Sequence, residues 1–531
     1  MERLNRRTLL RSTLLTGGAV VGGLLPKRVA GATIESKYET PSVETSLGKL
    51  RGVTNNGVHV FRGVPYADTS AGQNRFLAPH KARPWTGVRD AFYNVSVAPQ
   101  ITPPPGSIGT ALRANYQQTE DCLALNVFTR GLNDGRKRPV MMWIHGGGYT
   151  YGSGMSLGYD GTNLARSGDV VVVSINHRLT IFGHLYLGGI DKKYADSGNA
   201  GILDIVAALE WVRDNIAHFG GDPANVTIFG QSGGGGKVST LLAMPAAKGL
   251  FHKAIVESGS TLKQMTSDDA AKQTEAVLGK LNLKPSQIAE LHTMPMDRIL
   301  AASSGPGLRW GPVVDGGSLP RDPFDPDAPA VSADVPMLIG TAETEGSFFS
   351  PSEFLSMDEA TMRSRMKDRL GADSDQIIAL FRKRRPNATP SELYFTISAF
   401  PTSANLQAER KSALGKAPAY LYLFTWRTPA EGGRRLSPHC IEIPFAFNNQ
   451  WQMPEMVGTG PEIQQMADRV SGAWVAFART GNPSHALIPK WSPYNASDRA
   501  TMLINTEWKL ANDPNKEERL AMAKFSRLPM F

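Results

Sequence analysis

Apolar residues recur along the chain in short runs that are separated by longer segments with helical spacing. The runs are rich in β-branched and aromatic residues and lie at residues 140–144, 170–175, 226–229, 254–256, 336–339 and 420–426. Residues 201–215 and 462–479 have the spacing of an amphipathic helix. Continuous apolar strands that alternate with helices predict an α/β fold, in which a mostly parallel sheet is covered by helices on both faces.

Two segments depart from this alternation. Short alternating stretches between residues 46 and 60 predict antiparallel strands ahead of the parallel sheet. Residues 358–416 lack clear strands and predict a helical insertion over the sheet. No repeat, low-complexity tract or flexible linker divides the sequence. We therefore expect a single catalytic domain over residues 33–531.

The first 32 residues have the pattern of an export signal. A basic start is followed by an apolar stretch over about residues 9–25 and by small residues at positions 30–32. Arg6 and Arg7 resemble the pair of a twin-arginine signal. The apolar stretch is interrupted by glycines and is shorter than the about 20 residues of a membrane anchor. The sequence predicts cleavage before Thr33, export to the periplasm or the extracellular space, and no membrane anchor afterwards.

Much of the net charge of +9 lies in that segment. Its six basic residues and one acidic residue leave a mature chain near +4. The other basic runs are short, such as residues 382–385, and are typical of a solvated helix end. A nucleic-acid partner is therefore not expected.

The chain contains only two cysteines, Cys122 and Cys440. Two cysteines do not make a disulfide framework, even in an oxidising compartment. Hydrophobic residues make up 41% of the chain, which is enough for a large core. We expect the packing of that core to hold the fold.

A strand, a sharp turn and a helix are predicted around Ser232. The pattern G-x-S-x-G is formed by Gly230, Ser232 and Gly234 in the segment NVTIFGQSGGGGKVSTLLA. Side chains two residues either side of the serine would collide across so tight a turn, which requires glycine there. The helix that follows points its first amides at the place where negative charge develops. Ser232 is therefore the predicted nucleophile.

Two nearby patterns are rivals to this site. Residues 154–158 also match G-x-S-x-G, but no strand precedes Ser156, which indicates a structural loop. Gly236-Lys237 ends a glycine-rich turn after a strand, as a nucleotide-binding P-loop does. That motif needs glycine and a hydroxyl residue at the positions of Gln231 and Val238, so no phosphate site is predicted.

A second glycine cluster lies upstream of the nucleophile. His145 is followed by three glycines, directly after an apolar strand, in the segment MMWIHGGGYTYGSG. Attack on an ester creates a tetrahedral oxyanion that preorganised amides stabilise, and glycines let the backbone approach it without obstruction. This segment is therefore predicted to form an oxyanion hole.

Several long strings resemble the type B carboxylesterase family, which includes bacterial esterases and the cholinesterases. They are FRGVPYA from Phe61, EDCLALNV from Glu120, WIHGGGYTYGS from Trp143, NHRLTIFG from Asn176, GNAGILDIVAALEWVRDNIAHFGGDPANVTIFGQSGG from Gly198 and PVVDG from Pro312. The resemblance runs from about Ser42 to the C-terminus. It implies an α/β-hydrolase fold with helical insertions, and a serine esterase.

The resemblance also implies roles for individual residues. The oxyanion amides would be those of Gly147, Gly148 and Gly233. Ser258, in the string ESGS, would be a supporting hydroxyl behind the catalytic residues. Arg75 and Glu120 would form a structural salt bridge.

The chain departs from the family in three respects. Gln231 precedes the nucleophile where the family usually has glutamate, and Gly233 follows it where alanine is usual. Neither change removes an amide, but loss of the glutamate is expected to alter local charge and pH dependence. Cys122 matches a family cysteine that is often in a disulfide, but no cysteine lies upstream to pair with it. We expect it to be a buried free thiol.

The general base must follow Ser232, because the triad of an α/β-hydrolase runs in the order serine, acid, histidine. Four histidines qualify. His252 begins an apolar strand, His292 lies in a helical stretch and His485 lies in a surface-like loop. His439 follows a predicted strand in SPHCIEIPFAF and resembles the family's histidine, two residues and glutamate. It is the predicted base.

The acid is expected on a turn after the strand at residues 336–339, where Glu343 and Glu345 both occur. Their spacing alone leaves both open. The family's string of acid, glycine, any residue and aromatic selects Glu345, which would fix the tautomer of the histidine. Glu343 is then interpreted as a solvated neighbour.

These residues predict hydrolysis of a small-molecule ester through an acyl-enzyme, without a metal or cofactor. The competing interpretation is an inactive adhesion module on the same fold, since fold does not fix function. Presence of the serine, acid and histidine argues against it.

The natural ester is left open by the sequence. The region before EDCL reads ANYQQT and lacks the tryptophan with which cholinesterases bind choline, so choline esters are not expected. Arg434 and Arg435, just before His439, have two interpretations: attraction of an anionic acyl group, or a solvated loop.

Overall fold

The computed structural model describes residues 40–101 and 109–525. The export signal predicted at residues 1–32 lies outside the described residues. The strands are β1 (Ser42–Thr45), β2 (Gly48–Arg51), β3 (Val53–Asn55), β4 (Val58–Pro65), β5 (Val88–Asp90), β6 (Ala124–Thr129), β7 (Arg138–Ile144), β8 (Val171–Ile175), β9 (Gly221–Gln231), β10 (Lys253–Glu257), β11 (Met265–Thr266), β12 (Val313–Val314), β13 (Met337–Ala342), β14 (Ala419–Phe424), β15 (Ala500–Ile504) and β16 (Lys509–Asn512).

One large sheet contains eleven of these strands, in the order β16-β15-β14-β13-β10-β9-β7-β8-β6-β4-β3. The seven strands from β15 to β8 run parallel to one another. Antiparallel strands close both edges, with β16 on one side and β6, β4 and β3 on the other. The predicted mostly parallel sheet is confirmed. The antiparallel edges extend further than the stretch at residues 46–60 indicated.

The helices are α1 (Thr162–Gly168), α2 (Thr180–His184), α3 (Ala200–Asn215), α4 (Gly233–Leu241), α5 (Ser267–Leu281), α6 (Met296–Ala302), α7 (Glu359–Leu370), α8 (Ser374–Arg384), α9 (Pro390–Ser398), α10 (Thr402–Ala413), α11 (Ile443–Ala446), α12 (Pro454–Val457), α13 (Pro461–Thr480) and α14 (Lys516–Met522). Four of them, α7 to α10, follow one another between β13 and β14, where the sequence lacks clear strands.

Both faces of the sheet are buried, as strand β7 shows. Val140, Met142 and Ile144 pack into one core with residues of α3, α4 and α10. The alternate residues Met141 and Trp143 pack into a second core with residues of α1, α11 and α13. A strand with apolar side chains on both faces is stable only between two layers of helices. This explains the continuous apolar runs of the sequence.

Within residues 40–101 and 109–525, no helix combines the length and apolar character needed to cross a bilayer.

Candidate active site

Five neighbouring parallel strands, β7, β9, β10, β13 and β14, lead into the segments that carry the predicted site. The glycine run 146–148 follows β7, Ser232 follows β9 and Ser258 follows β10. Glu345 lies in a turn after β13, and His439 lies in the loop after β14. The carboxyl ends of parallel strands meet at one edge of the sheet, where α/β enzymes bind their ligands. The structure therefore brings all the segments of the predicted site to one edge.

Ser232 occupies the sharp turn between β9 and α4, with φ 59° and ψ −126°. Its amide donates a 2.8 Å hydrogen bond to the carbonyl of Glu257, which ties the turn to β10. A methyl group at Gly230 would lie 2.6 Å from the carbonyl oxygen of Ile144, and one at Gly234 would lie 2.1 Å from the same atom. Glycine is therefore required on both sides, and the serine stays partly exposed.

The glycines of the predicted oxyanion hole lie against one another. Gly147 and Gly148 have left-handed φ angles of 85° and 61°, which favour glycine. A methyl group at Gly233 would lie 2.2 Å from the carbonyl oxygen of Gly148 and 2.5 Å from its Cα. The glycine run is thus packed on the first residue of α4, where helix amides favour negative charge.

His439 and Glu345 form a buried pair. Nδ1 of His439 donates a hydrogen bond to Oε2 of Glu345. The other carboxylate oxygen accepts 2.7 Å hydrogen bonds from the amide of Ala342 and from the hydroxyl of Ser258. The side chains of His439 and Glu345 are 2% and 0% exposed. This arrangement fixes the orientation and tautomer of the imidazole, as a general base requires.

The pKa of the His439 imidazole is raised well above its ordinary value. Burial lowers the pKa, but attraction and hydrogen bonding to Cys440 and Glu345 outweigh burial. Burial also raises the pKa of the Cys440 thiol, which keeps that group uncharged at neutral pH. We therefore assign the increase to Glu345. Because a base must be unprotonated to act, activity is expected to fall as pH is lowered.

Gln231 connects the nucleophile turn to the histidine. Its amide nitrogen lies 3.2 Å from both ring nitrogens of His439, which places it over the ring rather than in the ring plane. The thiol of Cys440 donates to the side-chain oxygen Oε1 of Gln231 at 3.1 Å and so orients the side-chain amide. The family's usual glutamate would put a negative charge at this place. Here the positive end of an amide dipole faces the imidazole.

Two further buried carboxyl groups lie behind the site, and the sequence interpretation gave neither of them a role. The hydroxyl of Ser258, which donates to Glu345, also lies 3.0 Å from Oε1 of Glu442. Burial and the charge of Glu345 raise the pKa of Glu442 to about 7. Burial and the charge of Glu442 raise the pKa of Glu257 well above its ordinary value, and the indole of Trp474 donates to it at 2.7 Å. Glu442 had a signal in the sequence, because it ends the motif that singled out His439.

The rejected candidates bond elsewhere. The hydroxyl of Ser156 donates to the carbonyl of Ser153 at 3.0 Å, inside a buried loop. His252 accepts from the amide of Val226, His292 lies 2.6 Å from the Tyr194 hydroxyl, and His485 lies 3.0 Å from the Arg469 carbonyl. These partners account for each side chain without catalysis.

Glu343 is not simply solvated. It is half-buried and forms a 3.2 Å ion pair with Arg385, which directly follows α8 in the helical insertion. Glu345 instead points toward the histidine. The two acids of the turn thus have different partners.

Arg435 differs from both interpretations that the sequence offered. Its side chain is 8% exposed and donates to the carbonyls of Ser347 and Ser350 and to Glu431. It therefore supports the turn that follows Glu345 and is not a solvated cation. Arg434 donates to the carbonyl of Glu431 at 3.2 Å, on the exposed side of the loop.

The expected salt bridge and thiol are present. Arg75 donates to both carboxylate oxygens of Glu120, at 2.7 and 2.5 Å. It also donates to the carbonyls of Leu291 and Met294, which joins two distant loops. Cys122 is a buried free cysteine, as predicted.

The chain is similar to known proteins over most of its length. Residues 39–523 match the carboxylesterase family. The para-nitrobenzyl esterase of Bacillus subtilis (strain 168) is 37% identical over 491 residues, which are 90% of this chain and 97% of that protein. The phenmedipham hydrolase of Pseudarthrobacter oxydans is 33% identical over 492 residues, which are 88% and 95% of the two chains.

Solved structures give the same result. A carboxylesterase of Geobacillus stearothermophilus has a TM-score of 0.78 at 36% identity and covers 90% of this chain and 99% of its own. An esterase from Clostridium hathewayi, described as able to hydrolyse aliphatic aromatic polyesters, has a TM-score of 0.77 at 32% identity, over 92% and 99%. The α/β-hydrolase fold is thereby confirmed. The names of these relatives favour an enzyme over an inactive adhesion module.

Proposed function

The chain belongs to the carboxylesterase family and is a carboxylic ester hydrolase, and on that premise we propose that it acts through an acyl-enzyme on Ser232 with His439 as base and Glu345 as acid. The observation that carries the proposal is the buried hydrogen bond between His439 and Glu345. It lies beside Gln231, which immediately precedes the strained turn of Ser232.

In the first half of the reaction, His439 takes the proton of Ser232 and the serine oxygen attacks the ester carbonyl. The carbonyl oxygen becomes an oxyanion and accepts hydrogen bonds from the amides of Gly147, Gly148 and Gly233. The intermediate collapses, the bond to the alcohol breaks, and His439 returns the proton to the departing alcohol. An acyl group remains on the serine.

In the second half, water replaces the alcohol. His439 takes a proton from the water, whose oxygen attacks the acyl carbonyl, and the same amides stabilise the second oxyanion. The carboxylic acid leaves as the proton returns to Ser232. Glu345 keeps its charge throughout, because its task is to orient the imidazole and to stabilise the imidazolium.

The preferred esters carry an aromatic group. The rings of Phe349 and Phe348 lie 5.1 and 6.1 Å from the ring of His439, and Phe349 is 48% exposed. Aromatic pairs at these separations gain about 0.5–1.5 kcal/mol beyond buried area. A para-nitrobenzyl esterase and an esterase active on aliphatic aromatic polyesters among the relatives support the same class.

Substitution of the nucleophile tests this proposal. Ser232→Ala should abolish ester hydrolysis and labelling by a fluorophosphonate, because both reactions need the hydroxyl that His439 activates. Ser156→Ala is the matched control, since it removes the serine of the second G-x-S-x-G pattern, and it should label normally. Labelling that persists in Ser232→Ala would contradict the assignment.

Export of the chain is also part of the proposal, and it rests on the twin-arginine pattern of the sequence. Lysine at both Arg6 and Arg7 keeps the charge but removes the pair that the export machinery recognises. Active precursor should then accumulate in the cytoplasm, measured as esterase activity in cell fractions beside the unaltered chain. Undiminished export of the variant would exclude this route.

A further inference from the structure

A buried lysine lies one turn after the nucleophile. Lys237 belongs to α4, and its side chain is fully buried. Its ammonium donates to the carbonyl of His145 at 3.0 Å and to the carbonyl of Gly148 at 2.8 Å. In the part of the chain that the structure describes, no carboxylate forms an ion pair with it or raises its pKa. A buried cation without an anionic partner is costly, so its position requires an explanation.

The two carbonyls stand at the two ends of the glycine run 146–148. Consecutive glycines have many accessible conformations, and a run of them loses more entropy on ordering than any other sequence. Gly147 and Gly148 are nevertheless held at left-handed φ angles. The ammonium of Lys237 binds the carbonyl just before the run and the carbonyl of its last residue. It therefore restricts the conformations of the run from both ends.

The surroundings keep the lysine in place. The ring of Tyr149 lies 5.2 Å from the ammonium, a distance at which a cation is attracted to an aromatic face. The neighbouring titratable groups are three buried histidines. Burial, reinforced by repulsion from Lys237, lowers the pKa of His145 to about 3 and that of His177 well below its ordinary value. Burial likewise lowers the pKa of His184 to about 3, so all three are neutral.

Burial lowers the pKa of Lys237 itself to about 7. The contact with the glycine run does not depend on that proton, because a neutral amine still has two N–H groups for two carbonyls.

We propose that Lys237 is a positioning residue that holds both ends of the glycine run, so that the amides of Gly147 and Gly148 face the developing oxyanion. The inference rests on the proposed oxyanion hole. It assigns the lysine a role in the transition state without contact with the substrate. A buried lysine that donates to two carbonyls elsewhere in the chain should have no such effect on the transition state.

The experiment compares Lys237→Met with Lys411→Met. Lys411 is a matched control, because it is 1% exposed and donates to two carbonyls, those of Ser332 and Ala333, at 2.8 and 2.9 Å. Methionine keeps an unbranched apolar side chain that is one heavy atom shorter than lysine, and it removes the donors. The measurements are kcat and KM for 4-nitrophenyl acetate and the inhibition constant of a trifluoromethyl ketone, which forms a tetrahedral adduct with serine.

Lys237→Met should lower kcat by about 10- to 100-fold and raise the inhibition constant of the ketone by a similar factor. KM should stay within about threefold of its value in the unaltered chain. Lys411→Met should change all three by less than about threefold. Equal losses in both variants, or a Lys237→Met that keeps kcat and ketone affinity, would overturn the proposal.

Two measurements keep these results interpretable. Circular dichroism establishes that each variant is folded, and if Lys237→Met is not, Lys237→Gln takes its place. Glutamine retains a donor for one carbonyl and should show a smaller loss in kcat and ketone affinity, and no loss would again overturn the proposal. Endpoint fluorophosphonate labelling in Lys237→Met should remain complete. If Ser232→Ala also labels, the proposed nucleophile fails rather than the role of Lys237.

Discussion

The two sides of the strand that carries Ser232 bury opposite kinds of ionisable group. Toward β10 and β13 lie the carboxyl groups of Glu257, Glu345 and Glu442. Toward β7 and β8 lie Lys237 and three buried histidines, two of which, His145 and His177, stack at 4.6 Å. The sheet thus separates an acidic side from a basic side, with the nucleophile between them.

Each side lies next to the place of one charge that ester hydrolysis creates. The imidazolium forms at His439, on the acidic side, and the oxyanion forms at the glycine run, on the basic side. Fixed groups that are already oriented toward developing charge cost no reorganisation during the reaction. The three histidines are neutral and the pKa values of Glu257 and Glu442 are raised. We therefore infer that Glu345 serves the imidazolium on one side and that Lys237 holds the glycine run for the oxyanion on the other, and the following substitutions test this comparison.

The largest effect is expected on the acidic side, at Glu345. Glu345→Gln keeps the shape but removes the charge that orients His439 and stabilises the imidazolium, so kcat should fall by up to about 10⁴. Glu343→Gln, two residues away in the same turn, should lower kcat less than about tenfold, because Glu343 pairs with Arg385. Turnover of one activated ester is compared after circular dichroism. A larger loss at Glu343 would reverse the assignment.

A new carboxylate beside His439, at position 231, should change the pH profile of activity. Gln231→Glu would place a carboxylate about 3 Å from the imidazole, where an opposite charge raises a histidine pKa by about 1–3 units. The acidic limb of kcat/KM should therefore move up by at least about one pH unit, with about tenfold lower activity at a pH on that limb and a smaller change at higher pH. Gln231→Met serves as the neutral control. A profile that does not move would show that position 231 does not set the charge of the base.

The acidic side should also carry a cost in stability. The pKa of Glu442 rises to about 7 in the folded chain from 4.5 in its ordinary state. A raised carboxyl pKa means that stability is fully present below about pH 4.5 and is lost as pH rises through about 7. Relative to the unaltered chain, Glu442→Gln should gain about 1–3 kcal/mol of unfolding free energy between pH 4.5 and pH 8. Denaturant unfolding of the variant and of the unaltered chain at the two pH values measures this gain, with Glu343→Gln as the control. An equal difference in unfolding free energy at both pH values would contradict the prediction.

The smallest effect is expected at Phe349, the partly exposed aromatic residue beside His439. Phe349→Ala should lower kcat/KM about tenfold for a benzyl ester and less than about threefold for an alkyl ester of equal size, mainly through KM. Tyr93→Ala is a control, since this aromatic residue is 81% exposed. Equal losses on the two esters would show that Phe349 does not select aromatic groups.

Sequence patterns predicted the parts of the molecule that depend on local constraints. The strands β7, β8 and β10 were recognised because strands buried on both faces must be continuously apolar. Ser232 was recognised because its turn excludes side chains two residues away on either side. Both constraints are written into a few consecutive residues.

The remaining features depend on contacts between distant residues. Lys237 donates hydrogen bonds to carbonyls 92 and 89 positions away. In the sequence, its only notable feature was a partial match to the P-loop motif. Ser258 joins Glu345 and Glu442 across 87 and 184 positions. Neither interpretation of Arg435 from the sequence found its structural role, because the backbone carbonyls of Ser347 and Ser350 that it binds leave no pattern in the sequence. Burial of a polar side chain is visible only once the chain is folded.

The contact between Gly233 and Gly148 has a consequence for how this site can change over generations. An alanine at position 233 would meet a backbone atom rather than a flexible side chain, so the loop must move before the substitution is tolerated. The two positions therefore form an epistatic pair, in which the order of mutations matters. A lineage that acquires alanine first passes through a defective intermediate, whereas one that first displaces the loop does not. Directed evolution of this chain should accordingly recover changes at position 233 only together with changes in residues 146–148.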